Sequence, residues 1–79
     1  MNATLTKEEL LNRIEYAEEL IAQGEDYLNE LYTNPDSVVA CALMGVSRDD
    51  AIADTKTMIA RYERKIEHYK TLLREYETN

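Results

Sequence analysis

The chain has 79 residues, with 16 Asp and Glu against 9 Lys and Arg, which gives a net charge of −7. One Cys, one Pro and two Gly exclude a disulfide-stapled secreted fold and a collagen-like or low-complexity chain. This length predicts a single domain over residues 1–79. Because a core of this size contributes only about 3–5 kcal/mol of net stability, we expect long regular helices, a partner chain, or both.

The first predicted helix covers residues 7–33. Thr6 and Glu9 have the spacing of a capping box, in which each side chain binds a free backbone N–H of the first turn. Apolar or small residues then recur at alternating steps of four and three, as in a helix that packs lengthwise on another. This stripe consists of Leu10, Ile14, Ala17, Ile21, Gly24, Leu28 and Leu31. Because Ala17 and Gly24 are small, we expect the partner helix to approach closely there.

A short second helix is predicted at about residues 36–44. Proline disfavours the helical region in the residue before it, so the first helix ends before Pro35. Asn34 is then a candidate N-cap, with Pro35 as the first helical residue. The run Val38–Val46 carries no charge, and Gly45 has the place of a C-terminal cap. The two valines at its start leave a buried extended segment as the alternative.

The third predicted helix covers about residues 48–77, and Ser47 with Asp50 has the spacing of a second capping box. Its apolar stripe alternates steps of three and four over eight positions, without Gly or Pro. The stripe consists of Ile52, Thr55, Ile59, Tyr62, Ile66, Tyr69, Leu73 and Tyr76. We therefore predict an all-α fold, an antiparallel helical hairpin of two long helices with a short elbow helix and packing like that of a coiled coil.

Apolar residues outside the two stripes predict self-association, because they would leave an apolar zone too large for the surface of a monomer. We expect most simply an isologous dimer that completes a four-helix bundle. The residues assigned to this contact are Leu11, Leu20, Tyr27, Val38, Val39, Leu43, Met58 and Leu72.

No catalytic or metal-binding set is recognisable in the sequence, so we expect a protein that is not an enzyme and needs no cofactor. Cys41 lies in an apolar run, which favours a buried thiol over a reactive one. His68 has no second ligand at a metal-binding spacing. The lone thiol, with no signal peptide and no apolar run of membrane length, predicts a cytoplasmic location without membrane contact.

The negative charge is concentrated on the first helix, where residues 5–34 hold eight acidic and two basic residues. Direct nucleic-acid binding is not expected from such a surface. The acidic residues lie outside the apolar stripe and could attract a basic protein, such as one that binds nucleic acid. The candidate contact residues are Glu15, Glu18, Glu19, Glu25, Asp26 and Glu30. The alternative is a solvated face that keeps a small oligomer soluble.

Tyrosines alternate with basic residues along the third helix. Aromatic rings beside Arg and Lys can stack on bases and bind phosphates, so an oligomer of this chain could hold a nucleotide. The candidate ligand residues are Arg61, Tyr62, Lys65, Tyr69 and Arg74. The alternative is that the tyrosines pack in the helix interface while the basic residues pair with acidic ones on the same helix.

Three functions follow from these patterns. The first is a regulator or inhibitor that acts by protein–protein binding through the acidic face. The second is an oligomer that sequesters a small ligand through Tyr and Arg or Lys of the third helix, and the third is a structural assembly component. Short acidic helical chains are typical of small regulators, including those that phages and mobile elements encode, which favours the first function by association of size and charge.

Overall fold

The computed structural model describes residues 5–78, which form three α-helices. Helix α1 covers Lys7–Thr33, helix α2 covers Ser37–Leu43 and helix α3 covers Arg48–Thr78. Helices α1 and α3 pack antiparallel along their length, and the molecule measures 53 × 25 × 15 Å. The predicted all-α helical hairpin with a short elbow helix is confirmed.

Local capping sets the start of both long helices, as the sequence predicts. The Thr6 hydroxyl accepts the Glu9 N–H at 3.1 Å, and the Thr6 N–H donates to the Glu9 carboxylate at 3.3 Å. These two bonds form a complete capping box. At the other long helix, the Ser47 hydroxyl accepts the N–H of Asp50 at 3.0 Å, which is one of the two bonds of the predicted capping box. Each helix therefore begins where its own side chains satisfy the first free N–H groups.

The start of α2 differs from the prediction. Asn34 was expected as the N-cap with Pro35 as the first helical residue, but the helix begins at Ser37 and its N-cap is Asp36. The Asn34 side-chain oxygen accepts the Asp36 N–H at 3.0 Å, while the Asn34 backbone carbonyl accepts the Ser37 N–H at 3.0 Å. The asparagine therefore closes a turn on itself, a common alternative for this residue, and delays the helix.

The end of α2 is a Schellman motif, and it confirms Gly45 as the C-terminal cap. Gly45 has a φ of +78°, a conformation that glycine adopts without steric cost. The Gly45 N–H donates to the Ala42 carbonyl and the Val46 N–H donates to the Cys41 carbonyl, each at 3.0 Å. This pair of bonds satisfies the last carbonyls of α2 and turns the chain towards α3.

The core includes two clusters of buried residues, one between α1 and α3 and one where all three helices meet, and Leu10 is buried outside both. Near the open end of the hairpin, Ile14, Ala17 and Ile66 are buried, and Tyr62 and Tyr69 pack against them. Near the elbow, the buried residues are Leu31, Cys41 and Ala51. The burial of Cys41 is thus confirmed, and so are the predicted stripes except for Tyr76, which is exposed near the end of α3. Ala51, which precedes the predicted stripe of α3, is buried as well.

Gly24 is buried between the two clusters, with Met58 and Ile59 of α3 against it. A Cβ atom at this position would lie 2.8 Å from Met58 Cε and 3.0 Å from Ile59 Cγ1. Such distances are shorter than van der Waals contact, so a larger residue would force the side chains of Met58 and Ile59 to move. The expected packing role of Gly24 is confirmed.

Arg48, which the sequence analysis did not single out, ties the beginning of α3 to the end of α1. Its Nε donates to the Leu31 carbonyl and its Nη2 donates to the Tyr32 carbonyl at 3.2 Å. The buried Ser37 hydroxyl donates to the same Leu31 carbonyl at 3.3 Å. Because the last turn of α1 holds no basic residue, Arg48 provides the positive charge that complements its free carbonyls and its dipole.

Replacing Arg48 with alanine should lower the free energy of unfolding by about 1–3 kcal/mol, because it removes charge-assisted bonds to two carbonyls at the end of α1. Urea unfolding followed by circular dichroism measures this change. Arg64→Ala is the matched control, since Arg64 is exposed in the middle of α3. Two variants within about 0.5 kcal/mol of each other would contradict the role of Arg48.

Candidate functional site

The hairpin has a groove on each flank of the α1–α3 interface, and the two grooves differ in charge. We call the first the tyrosine groove. It has a volume of about 420 Å³ and is lined by Asn12, Arg13, Tyr16, Ala17, Tyr62, Lys65 and Tyr69. We call the second the acidic groove. It has a volume of about 530 Å³ and is lined by Glu18, Ile21, Ala22, Glu25, Glu63, Ile66, Glu67 and Lys70. Tyr16 and Glu18 flank the buried stripe on opposite sides, because successive helical residues are about 100° apart.

Helix α3 contributes three of the five residues predicted for ligand binding to the tyrosine groove. Tyr62, Lys65 and Tyr69 follow one another at steps of three and four, so they share one face of the helix. Both tyrosines are half-buried against the Ile14 cluster, which fixes their rings. The Lys65 ammonium lies 5.2 Å from the centroid of the Tyr62 ring, within range of a cation–π interaction.

Helix α1 contributes the rest of the tyrosine groove, and sequence reasoning missed this part. Asn12, Arg13 and Tyr16 face the α3 residues across the groove. Tyr16 and Arg13 are exposed and lie one and four residues before the stripe residue Ala17. This spacing places them at the edge of the stripe and could have identified them as groove residues. The two other predicted ligand residues, Arg61 and Arg74, are exposed on α3 and do not line the groove.

The six acidic residues predicted for partner binding are all exposed. Glu18 and Glu25 line the acidic groove, where Glu63 and Glu67 of α3 add two more carboxylates around the single Lys70. The remaining four lie further out on α1: Glu15, Glu19, Asp26 and Glu30. Among the described residues, the Asn34 side chain donates to Glu30 at 3.0 Å, and no ion pair engages any of the six.

Helix α2 and the turn that follows it present an apolar surface at the tip of the hairpin. We call it the elbow patch and define it as Val38, Val39, Leu43, Met44 and Val46, all of which are exposed. Leu43 is 84% exposed, and no charged residue occurs between Asp36 and Arg48. Contiguous exposed apolar residues of this kind often form a contact site for another protein.

The other residues predicted for self-association are spread along the two long helices. Leu11 and Tyr27 are exposed, whereas Leu20, Met58 and Leu72 are half-buried. Leu11 and Leu20 are nine residues apart and therefore about 180° apart around α1. The structure brings Val38, Val39 and Leu43 together but does not join all eight residues into one surface.

Residues 5–78 contain no group of three or more His, Cys, Asp or Glu side chains that could hold a metal ion. His68 is exposed, and Cys41 is buried as a free thiol. Within the same described range, neither long helix has a stretch apolar enough to cross a bilayer. The candidate functional surfaces are the exposed acidic residues of α1, the two grooves and the elbow patch.

No known protein family, curated protein or solved structure matches this chain. The basis for proposing a function is therefore the chemistry of its own surfaces, which include the exposed acidic residues of α1, the two grooves and the elbow patch.

Proposed function

We propose that this protein is a small, non-enzymatic regulator or inhibitor that binds a basic protein partner through the acidic side of α1. The supporting observation is that all six candidate carboxylates are exposed and that no described residue forms an ion pair with them. They extend from Glu15 to Glu30, about 22 Å along the helix axis. A basic partner would meet negative charge along this whole length.

The proposed mechanism is electrostatic. Exposed carboxylates attract a basic surface over roughly a Debye length, which raises the rate of encounter and orients the partner. Proteins that bind nucleic acid present Lys and Arg to phosphates, and the same side chains would bind the carboxylates of α1. Occupation of that basic surface would inhibit the partner. A lone buried thiol favours the cytoplasm as the compartment for this activity.

Charge reversal on α1 should abolish capture of the partner. We expect the wild-type chain to retain a basic protein from extracts of its own organism at about 0.05 M salt and to release it at about 0.5 M salt. The Glu18→Lys/Glu25→Lys variant should bind that protein at least about ten-fold more weakly, because it reverses two charges of the acidic side.

The matched control is Asp54→Lys/Glu77→Lys, which changes the net charge equally at exposed positions of α3. It should retain the partner. Equal loss of binding in both variants would indicate that only net charge matters, as expected for a face that serves solubility. Unchanged binding by the α1 variant would also contradict the proposal.

We further propose that two copies of the chain associate through the elbow patch. Five apolar residues are exposed there, and the segment from Ser37 to Ser47 has no charge. Two such surfaces related by a two-fold axis would bury each other without bringing like charges into the contact. A small hairpin buries little apolar surface on its own, so the apolar surface buried against a second chain would add to its stability.

The elbow patch predicts a dimer that Leu43→Asp converts to a monomer. The substitution places a charge at the most exposed residue of the patch and leaves the fold intact, because Leu43 lies outside both core clusters. Sedimentation velocity at high micromolar concentration measures the change. Leu11→Asp, at an exposed apolar position far from the elbow, is the control and should remain dimeric. A monomeric wild-type chain would contradict the proposal.

A further inference from the structure

The tyrosine groove has a charge opposite to that of the chain as a whole. Its lining residues include two cations, Arg13 and Lys65, and no carboxylate, although the net charge of the protein is −7. The acidic groove on the other flank holds four carboxylates and one lysine. Composition alone therefore does not explain a positive groove, and an anion is the ligand that its charge favours.

Aromatic rings give this groove a second recognition element. Tyr62 and Tyr69 form one wall and are held by the core beneath them. Tyr16 forms the facing wall on α1, and its side chain is 61% exposed. A ring that is accessible at the mouth of a positive groove can stack on a planar ligand, as tyrosines do on bases.

The polar groups complete a site for a phosphate beside a planar ring. The guanidinium of Arg13 can bind phosphate oxygens with two parallel bonds, and the Lys65 ammonium adds a compact charge from the opposite helix. The Asn12 carboxamide can both donate and accept hydrogen bonds at the edge of a base. The groove volume of about 420 Å³ is within the range of small-molecule sites.

We propose that the tyrosine groove binds a nucleotide, with the base stacked on Tyr16 and the phosphate between Arg13 and Lys65. This site differs from the acidic side of α1 that carries the proposed function. Three of the ligand residues predicted from the sequence belong to this site: Tyr62, Lys65 and Tyr69. The predicted Arg61 and Arg74 do not, and Arg13 provides the guanidinium instead. A nucleotide would bridge both long helices, so binding would also stabilise the hairpin against unfolding.

Isothermal titration calorimetry with AMP, GMP, CMP and UMP, each in turn, tests this proposal on the full chain. At least one of them should bind more tightly than adenosine or inorganic phosphate, because stacking and charge act together. Arg13→Ala/Lys65→Ala should weaken nucleotide binding by about ten-fold or more. Tyr16→Ala should weaken it by a similar factor while leaving any binding of inorganic phosphate unchanged.

Lys70→Ala is the matched control, because it removes a lysine at the same kind of position in the acidic groove. It should bind nucleotide as the wild-type chain does. Glu18→Lys/Glu25→Lys should also bind nucleotide, which separates this proposal from the one on partner binding. The proposal is overturned if no nucleotide binds, if inorganic phosphate binds as tightly as the nucleotide, or if Lys70→Ala weakens binding as much as Arg13→Ala/Lys65→Ala.

Discussion

The close packing of α1 against α3 at Gly24 is the contact on which the rest of the structure depends. Met58 and Ile59 lie against this glycine, and one core cluster lies on either side of it. A two-helix layer has no further layer to cover its flanks, so the grooves on both sides of the interface stay open to solvent. Residues that flank the apolar stripes then decide the charge of each groove.

The elbow completes this arrangement and creates the third surface of the molecule. The side chains of Arg48 and Ser37 donate hydrogen bonds to carbonyls at the end of α1. These bonds hold the beginnings of α3 and α2 against the last turn of α1. Once Cys41 is buried against Leu31 and Ala51, the valines and Leu43 of the short helix remain outside. The acidic residues of α1, the tyrosine groove and the elbow patch are thus separate surfaces, so the contacts proposed for a partner, a ligand and a second copy do not overlap.

Local patterns in the sequence predict most of the fold but only part of the candidate site. The helix starts follow from Thr6 and Ser47, because capping involves residues three positions apart. The predicted start of α2 was wrong because an asparagine such as Asn34 can either cap a helix or close a turn. The sequence alone does not distinguish these two roles. Arg48 was missed because its carbonyl partner lies 17 residues away. Tyr62, Lys65 and Tyr69 share one helix face and could be grouped, whereas Arg13 and Tyr16 join them only through the register of the two helices.

Both grooves depend on the register of α1 against α3 within one chain, because each is lined by residues of both helices. Methyl NOEs measured on a mixture of labelled and unlabelled chains test it most directly. We expect NOEs between Ala17 and Ile66 and between Leu31 and Ala51, both within a single chain. If these NOEs are absent, or occur only between differently labelled chains, the hairpin and both of its grooves are contradicted.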